Sequence, residues 1–448
     1  MLTTVRILLL RFLAVSALLL LASCASVNYQ EDIEDYKDEI SKLNEQLRED
    51  PKDAEALRDL GAIYFQTRQY EDARIYLQKA AKQDLNDPKT LFYLGLSMEF
   101  DGKDDTALKF YRNYEKTPRT SPWRKLMQGR YHWIKKEMAA AEAKRIVKAS
   151  LLDSTSIGTI ESDALAVFPM LYRGSEERFA PLGVGLSEMV IIDLGRISSL
   201  TLVERIRIQE VLRELDFAKN SYTDPATSPR TGRLLGASRV VSGVYNVLRA
   251  EQLIVDASSW DLAQRQEPVI INRENELIRL FELQKEVVFD IIRQLGIQPT
   301  PAEREAIMLV PTRDMKAFLE YCKGLEREDD RQYNSAVGHY EAALKLDPKF
   351  ELARQRAERA RSLADAGGSK EDAADTAGNL NKGGSSGGGK DSPGIGGMEE
   401  LIGSRINTIG STIGSTFSPG EDTRNPGEEV LGAGLTELPV PPDPPANE

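Results

Sequence analysis

The sequence predicts a folded body that is all-α at its two ends and α/β in the middle, followed by a disordered tail. Three observations carry this. Apolar and small residues recur with a period of 34 near the N-terminus, strand and helix patterns alternate between residues 160 and 297, and 18 of the 33 glycines lie at or beyond Gly367. A chain of 448 residues accommodates two to four domains. Its net charge of −12 lacks the basic footprint of a nucleic-acid binder. Cys24 and Cys322 are the only cysteines, too few for a disulfide framework. With only His132 and His339 present, a His-rich metal site or multi-His mechanism is excluded.

The N-terminus reads as an address. Arg6 and Arg11 flank and interrupt an apolar run from Ile7 to Ala22. Only about ten apolar residues follow Arg11, short of the ~20 that a spanning helix needs. A basic start, a short apolar stretch and small residues at its end describe a signal peptide over residues 1–23. The end, Leu21-Ala22-Ser23-Cys24, resembles a bacterial lipobox. That resemblance implies lipidation of Cys24 by acyl chains such as palmitate, and several such chains give stable anchoring. Ala25 rather than an aspartate follows, which by the same resemblance implies the outer membrane facing the periplasm, with the inner membrane as the alternative.

Residues 24–150 are expected to form a helical array with a capping helix. Leu57, Leu60, Gly61, Tyr64, Ala73, Leu77 and Ala80 recur 34 positions later as Leu91, Leu94, Gly95, Met98, Ala107, Tyr111 and Tyr114. The large residues fill the space between paired helices, the glycine and alanine let the backbones approach, and Pro88 ends the second helix of the pair. This pattern resembles the tetratricopeptide repeat. A helical stripe of Ile33, Tyr36, Ile40, Leu43 and Leu47 precedes it, as half a repeat or a short coiled coil. Repeats of this kind stack into a curved array whose inner face binds proteins. Groove positions in this register are Arg58, Phe65, Lys89, Phe92, Leu96 and Phe100. The three phenylalanines mark either a partner-binding surface or packing against a neighbouring element. Trp123, Met127, Tyr131, Ile134, Met138 and Ala141 form the apolar stripe of the capping helix, with His132 off the stripe as a surface residue.

Between residues 160 and 297 the order is a short apolar run, Ala164–Tyr172, then helix, strand (Leu200–Glu204), helix (Arg205–Leu215) and helix (225–235). The strands Arg239–Leu248, Glu251–Leu262 and Pro268–Arg273 follow, closed by a helix from Glu274 to Leu295. This is an α/β domain with a mixed sheet. Val167-Phe-Pro169, Gly185-Leu-Ser-Glu-Met189, Val203-Glu-Arg205, Leu234-Leu-Gly-Ala237, Val240-Val-Ser-Gly243 and Trp260-Asp-Leu262, in that order, resemble the CsgG-type family of curli secretion lipoproteins. The resemblance implies a lipid anchor and a tendency to oligomerise. The secretion channel of that family inserts long hairpins, whereas Arg249–Gln252 and Ala263–Glu267 are far shorter than the ~9–11 residues of a membrane strand. The chain is therefore expected to resemble the periplasmic body without its barrel.

Residues 298–362 repeat the helical unit once. Gly324, Ala336, Tyr340 and Ala343 stand at the offsets of Gly61, Ala73, Leu77 and Ala80, although Lys323 and Arg327 occupy positions usually apolar. Cys322 lies within this helical pattern and reads as packing, because no motif supplies a catalytic partner. Residues 363–448 contain 14 Leu, Ile, Val or Phe in 86 positions, the composition of a disordered Gly/Ser/Pro-rich tail. Within it, Ile402, Ile406, Ile409, Ile413 and Phe417 would share one helix stripe, a docking segment over 401–417 that orders on a partner.

No catalytic constellation, cofactor or metal site is expected. Gly183-Val-Gly185 lacks the third glycine of a dinucleotide loop, with Glu188 in its place. Gly384–Lys390 lacks the hydroxyl residue of a phosphate loop, with Asp391 there. Glu204 and Arg205 read as a helix cap and structural ion pair. The expected role is a non-catalytic adaptor or assembly factor in envelope secretion or surface-structure biogenesis. It would bind envelope proteins through groove and tail, and the membrane through its lipid. A ligand-sensing α/β domain and a ring-forming homo-oligomeric subunit are the alternatives.

Overall fold

A computed structural model describes residues 34–152, 164–215, 227–248, 251–262, 268–366 and 368–385. They separate into two compact units, residues 34–127 with 369–382, and residues 128–368. The structure is mostly helical with one mixed sheet. No helix among the described residues is long and apolar enough to cross a membrane.

In the first unit, α1 (Lys37–Glu49) is followed by the pairs α2 (Ala54–Gln66) with α3 (Tyr70–Gln83) and α4 (Pro88–Phe100) with α5 (Asp104–Tyr111). Asp53 caps α2 by accepting from the Glu55 and Ala56 N–H groups, and Asp87 caps α4 ahead of Pro88. Each pair crosses at its glycine. A Cβ on Gly61 would stand 2.7 Å from Leu77 Cγ, and one on Gly95 would stand 2.7 Å from Tyr111 Cε1. Each turn also uses one left-handed residue, Arg68 at φ 63° and Gly102 at φ 70°. Leu43, Ala56, Leu60 and Ile63 form a core that α1 covers with Tyr36, Ile40 and Leu47.

Helix α6 (Pro122–Leu152) keeps the expected stripe through Ile134. Met138 is instead 37% exposed, and burial passes to Ala139, Ala143 and Val147. There Ala143 joins the core that lies over one face of the sheet. His132 is not a surface residue: it is 4% exposed.

Among the described residues the second unit is built on six strands, β1 (Ala164–Val167), β2 (Leu171–Tyr172), β3 (Thr201–Leu202), β4 (Arg239–Leu248), β5 (Gln252–Asp261) and β6 (Val269–Glu276). Their order is β3-β1-β4-β5-β6, with β2 also on β4. β1 runs parallel to β3 and β4, while β4, β5 and β6 form an antiparallel meander in register from Arg239↔Asp261 to Leu248↔Gln252. Successive β1 side chains serve opposite faces. Leu165 and Val167 enter the core with α7 (Leu182–Leu194) and α10 (Leu280–Gln294), and Ala164 and Ala166 enter the core with α8 (Arg205–Glu214). Helix α9 (Ser228–Leu234) packs on that second face, where a Cβ on Gly232 would meet Val240. Toward β6 only one face is covered, so Ile271 is buried and Ile270 is 69% exposed. The helix expected from Glu274 begins later, because Glu274–Glu276 continue β6 opposite Gln252–Ile254. A charged run on an edge strand has no glycine or proline to mark its end.

Helices α11 (Pro301–Ile307), α12 (Met315–Asp329), α13 (Tyr333–Leu346) and α14 (Glu351–Ala366) complete this unit. The α12–α13 pair repeats the geometry of the first unit. A Cβ on Gly324 would lie 2.4 Å from the Tyr340 ring, and Arg331 supplies the left-handed turn at φ 62°. The closing bond also recurs: Gln69 N–H to Tyr64 O, Lys103 N–H to Met98 O, Gln332 N–H to Arg327 O. Lys323 pairs with Glu320 and Arg327 reaches Gln332, which keeps both side chains out of the core. No core boundary falls at residue 297. Phe318, Tyr321, fully buried Cys322 and Leu325 belong to the same apolar cluster as α7 and the sheet.

The tail begins later than expected. α14 runs to Ala366 and a further helix, α15 (Lys370–Ser385), belongs to the first unit. Ser369 and Asp372 form a reciprocal capping box at its start. That local signal outweighs the glycine-rich average of the segment. The signal peptide, Cys24, and the segment of Ile402, Ile406, Ile409, Ile413 and Phe417 lie outside the described residues.

Candidate functional site

In the first unit, α2 and α4 supply the expected groove residues. Arg58 and Lys89 meet through Asp59, each at 2.8 Å, and Arg58 also lies 3.5 Å from Asp87. Burial works against the Asp59 carboxylate, but the hydrogen bonds from Arg58 and Lys89 prevail and hold its pKa below the usual range. Both cations are thus neutralised within the array. Phe65 is 2% exposed and gathers Tyr70, Tyr93 and Phe100, with ring centroids 5.1–5.5 Å away. Phe92 and Leu96 are fully buried rather than lining the groove. Phe92 packs among Tyr93, Tyr111 and Trp123, because the turn of helix it occupies faces the neighbouring helices. Phe100 is half-buried.

Helix α15 lies against this face. Gln66 Nε2 donates to Ala374 O at 2.9 Å and to Tyr93 Oη at 3.1 Å, and Asn381 Nδ2 donates to Tyr93 Oη at 2.7 Å. Lys370 Nζ stands 4.7 Å from the Phe100 ring centroid. Ala373 and Ala377 are fully buried. Gln66, Tyr93 and α15 escaped the sequence reading. The signal that could have found them is Ser369-x-x-Asp372 ahead of small residues four apart, Ala373/Ala377 and Ala374/Gly378.

The second unit holds a buried ion cluster around a cavity of about 60 Å³, room for a few waters. Glu188 from α7 is 2% exposed and bound by Arg356 from α14 and by Arg205 from α8, whose Nε lies 3.3 Å away. Arg205 also reaches Asp329 at 2.5 Å, and Arg356 reaches Glu328 at 3.1 Å. Arg205 therefore pairs with Glu188 and Asp329 rather than with its neighbour Glu204, which binds Lys135 at 3.1 Å. Tyr340 Oη donates to Glu328 Oε2 at 2.7 Å, as Tyr111 Oη donates to Glu99 Oε2 at 3.0 Å in the matching hairpin. Burial opposes the Glu328 charge, yet the guanidinium groups of Arg356 and Arg359 pull its pKa down to about 2. A carboxyl so held neither gives nor takes a proton at neutral pH, whereas at the same cavity burial raises the Asp329 pKa and lowers that of Lys136 to about 8. Among the described residues no group of three or more His, Cys, Asp or Glu could hold a metal ion. Cys322 is buried and its thiol pKa is pushed well up by that burial.

Burial, with Arg359, Lys135 and Arg356 nearby, holds the His132 pKa well below its ordinary value. The folded chain keeps His132 neutral, whereas the unfolded chain protonates it below about pH 6.5. Stability contributed at His132 is thus complete above pH 6.5 and is lost below it, at about 1.4 kcal/mol per pH unit. Calorimetry between pH 7.5 and 5.5 should show this decline, and His132→Gln should flatten it. An unchanged slope in the variant would place the titrating group elsewhere.

The tetratricopeptide repeat family profile matches residues 34–90. No curated protein matches the chain. Among solved structures, a tetratricopeptide repeat protein from Parabacteroides merdae aligns at 12% identity over 74% of this chain and 98% of that one. Its TM-score is 0.22, too low to carry an argument about the fold. The repeat is thus shown where the profile and the α2–α3 geometry coincide, and tetratricopeptide repeats are modules of protein–protein interaction.

Proposed function

We propose that this chain is a non-catalytic, lipid-anchored adaptor of the bacterial envelope that binds a protein partner through its tetratricopeptide array. The observation that carries the reading is α15 itself. The faces of α2 and α4 that receive ligands in such arrays already hold a helix, through Gln66, Tyr93 and Phe100. Residues 160–297 serve as a CsgG-like body without a pore. The mixed sheet and its antiparallel β4–β5–β6 meander support this, as does the sequence distance between Leu248, where β4 ends, and Gln252, where β5 begins, too short for a membrane hairpin. Lipid on Cys24 places the protein at the outer membrane facing the periplasm. The role is assembly or secretion of surface structures, with the segment of Ile402 to Phe417 as a second contact.

A photo-crosslinking amino acid at Tyr70, in cells, tests the partner. Capture of a separate envelope protein is expected, and crosslinks confined to this chain would overturn the adaptor reading. The anchor has its own test. Cys24→Ser should move the protein from the membrane fraction to the soluble fraction and abolish palmitate labelling. Retention at the membrane would refute lipidation as the anchor.

A further inference from the structure

The cavity of the second unit is walled by six basic and five acidic residues. Each of the five carboxylates is paired. Arg205 serves Glu188 and Asp329, Arg356 serves Glu188 and Glu328, Lys135 serves Glu204, and Arg213 meets Glu210 at 2.5 Å. Among the described residues the cation left over is Lys136, from α6. It is 8% exposed, donates to Glu328 O at 3.2 Å and stands 5.4 Å from the Tyr333 ring centroid, with no carboxylate in ion-pair contact. An ammonium carries three N–H donors, so two of them lack a protein acceptor. Burial outweighs the more distant Glu328, Asp329 and Glu210 and lowers the Lys136 pKa to about 8.

Two other donors on the same wall are short of partners. Arg359 Nε is buried without a hydrogen bond, its carboxylate neighbour Glu328 Oε1 lying 3.5 Å away. Tyr333 is 8% exposed and its Oη has no partner. One acceptor is open as well. Glu188 Oε2 makes no hydrogen bond, although Arg205 Nε lies 3.3 Å from it. Buried polar groups are satisfied in folded proteins, by the protein or by what the cavity holds.

An occupant matching this wall offers acceptors to three donor groups, one donor to a carboxylate, and negative charge to the spare ammonium. Hydrogenphosphate has all three. Sulfate and acetate have no proton to give Glu188 at neutral pH, and water has no charge. A volume of about 60 Å³ suits an ion of about five heavy atoms and is too small for a nucleotide. We propose that this cavity binds a protonated phosphate group, with Lys136, Arg359 and Tyr333 donating to its oxygens and Glu188 accepting from its O–H. The group is free phosphate or the phosphoryl end of a small monoester. The site lies within the second unit and stands independently of the reading of the array.

Isothermal titration of the full chain with sodium phosphate at neutral pH tests this. Submillimolar affinity is expected, with sulfate and acetate weaker by about tenfold or more, the effect of one charged hydrogen bond. Lys136→Met keeps the stem and removes the charge, and should weaken phosphate binding by about tenfold or more. Tyr333→Phe removes a single oxygen, should weaken binding several-fold, and covers the case in which Lys136→Met disturbs folding. Methyl phosphate separates the two sources: affinity at or above that of phosphate assigns a monoester, and weaker binding assigns the free ion. No binding of phosphate at millimolar concentrations would leave water alone in the cavity and overturn the site. Sulfate bound as tightly as phosphate would overturn the Glu188 contact, and unchanged affinity in both variants would place the anion elsewhere.

Discussion

Arg356→Ala is expected to destabilise the second unit by about 3–5 kcal/mol, the range for removing one member of a buried ion group. Arg356 bridges two carboxylates, Glu188 and Glu328, whose side chains are 3% and 7% exposed. Without the guanidinium, Glu188 keeps only Arg205, and Glu328 keeps Arg359 at 3.5 Å and the Tyr340 hydroxyl. Two charges then remain in a place that water reaches only through a small cavity. Arg356→Lys should recover only part of the loss, because an ammonium on a flexible stem cannot present the forked donors that serve both carboxylates. Chemical denaturation of the full chain measures this. A loss under about 1 kcal/mol, the value of an exposed pair, would show the cluster to be solvated.

Phe92→Ala is expected to cost the first unit about 3–5 kcal/mol, as for a phenylalanine removed from a packed core. Its ring is fully buried and has three aromatic neighbours at 5.5–6.0 Å. The expectation separates two roles that the sequence left open. A groove residue would weaken partner binding with little change in unfolding, whereas a core residue lowers the denaturation midpoint of the array. An unfolding midpoint equal to that of the unaltered chain would return Phe92 to the groove.

Much of the helical architecture was legible because its causes are local. Asp53 and Asp87 mark helix starts, and Gly61, Gly95 and Gly324 mark crossings where a Cβ has no room. The strand Arg239–Leu248 was legible to its ends, since a valine-rich run of that length favours a strand. Glu188 was not. In the sequence it was the acid that spoiled a glycine loop, and its role comes from Arg356, 168 residues away. His132 likewise sits off an apolar stripe, and its burial comes from the segments that close over it rather than from its own helix. Helix α15 fell between the two cases. Its capping box was readable, but the glycines around it dominated the composition.

The sequence by itself determined the repeat, its turns and the alternation of strand and helix, because backbone sterics and side-chain periodicity act over a few residues. Only the tertiary structure decided which charges meet around Arg356 and which segment of the chain covers the array. Those outcomes depend on contacts between residues far apart in the chain, and the desolvation that makes a buried carboxylate matter exists only once the chain has closed around it.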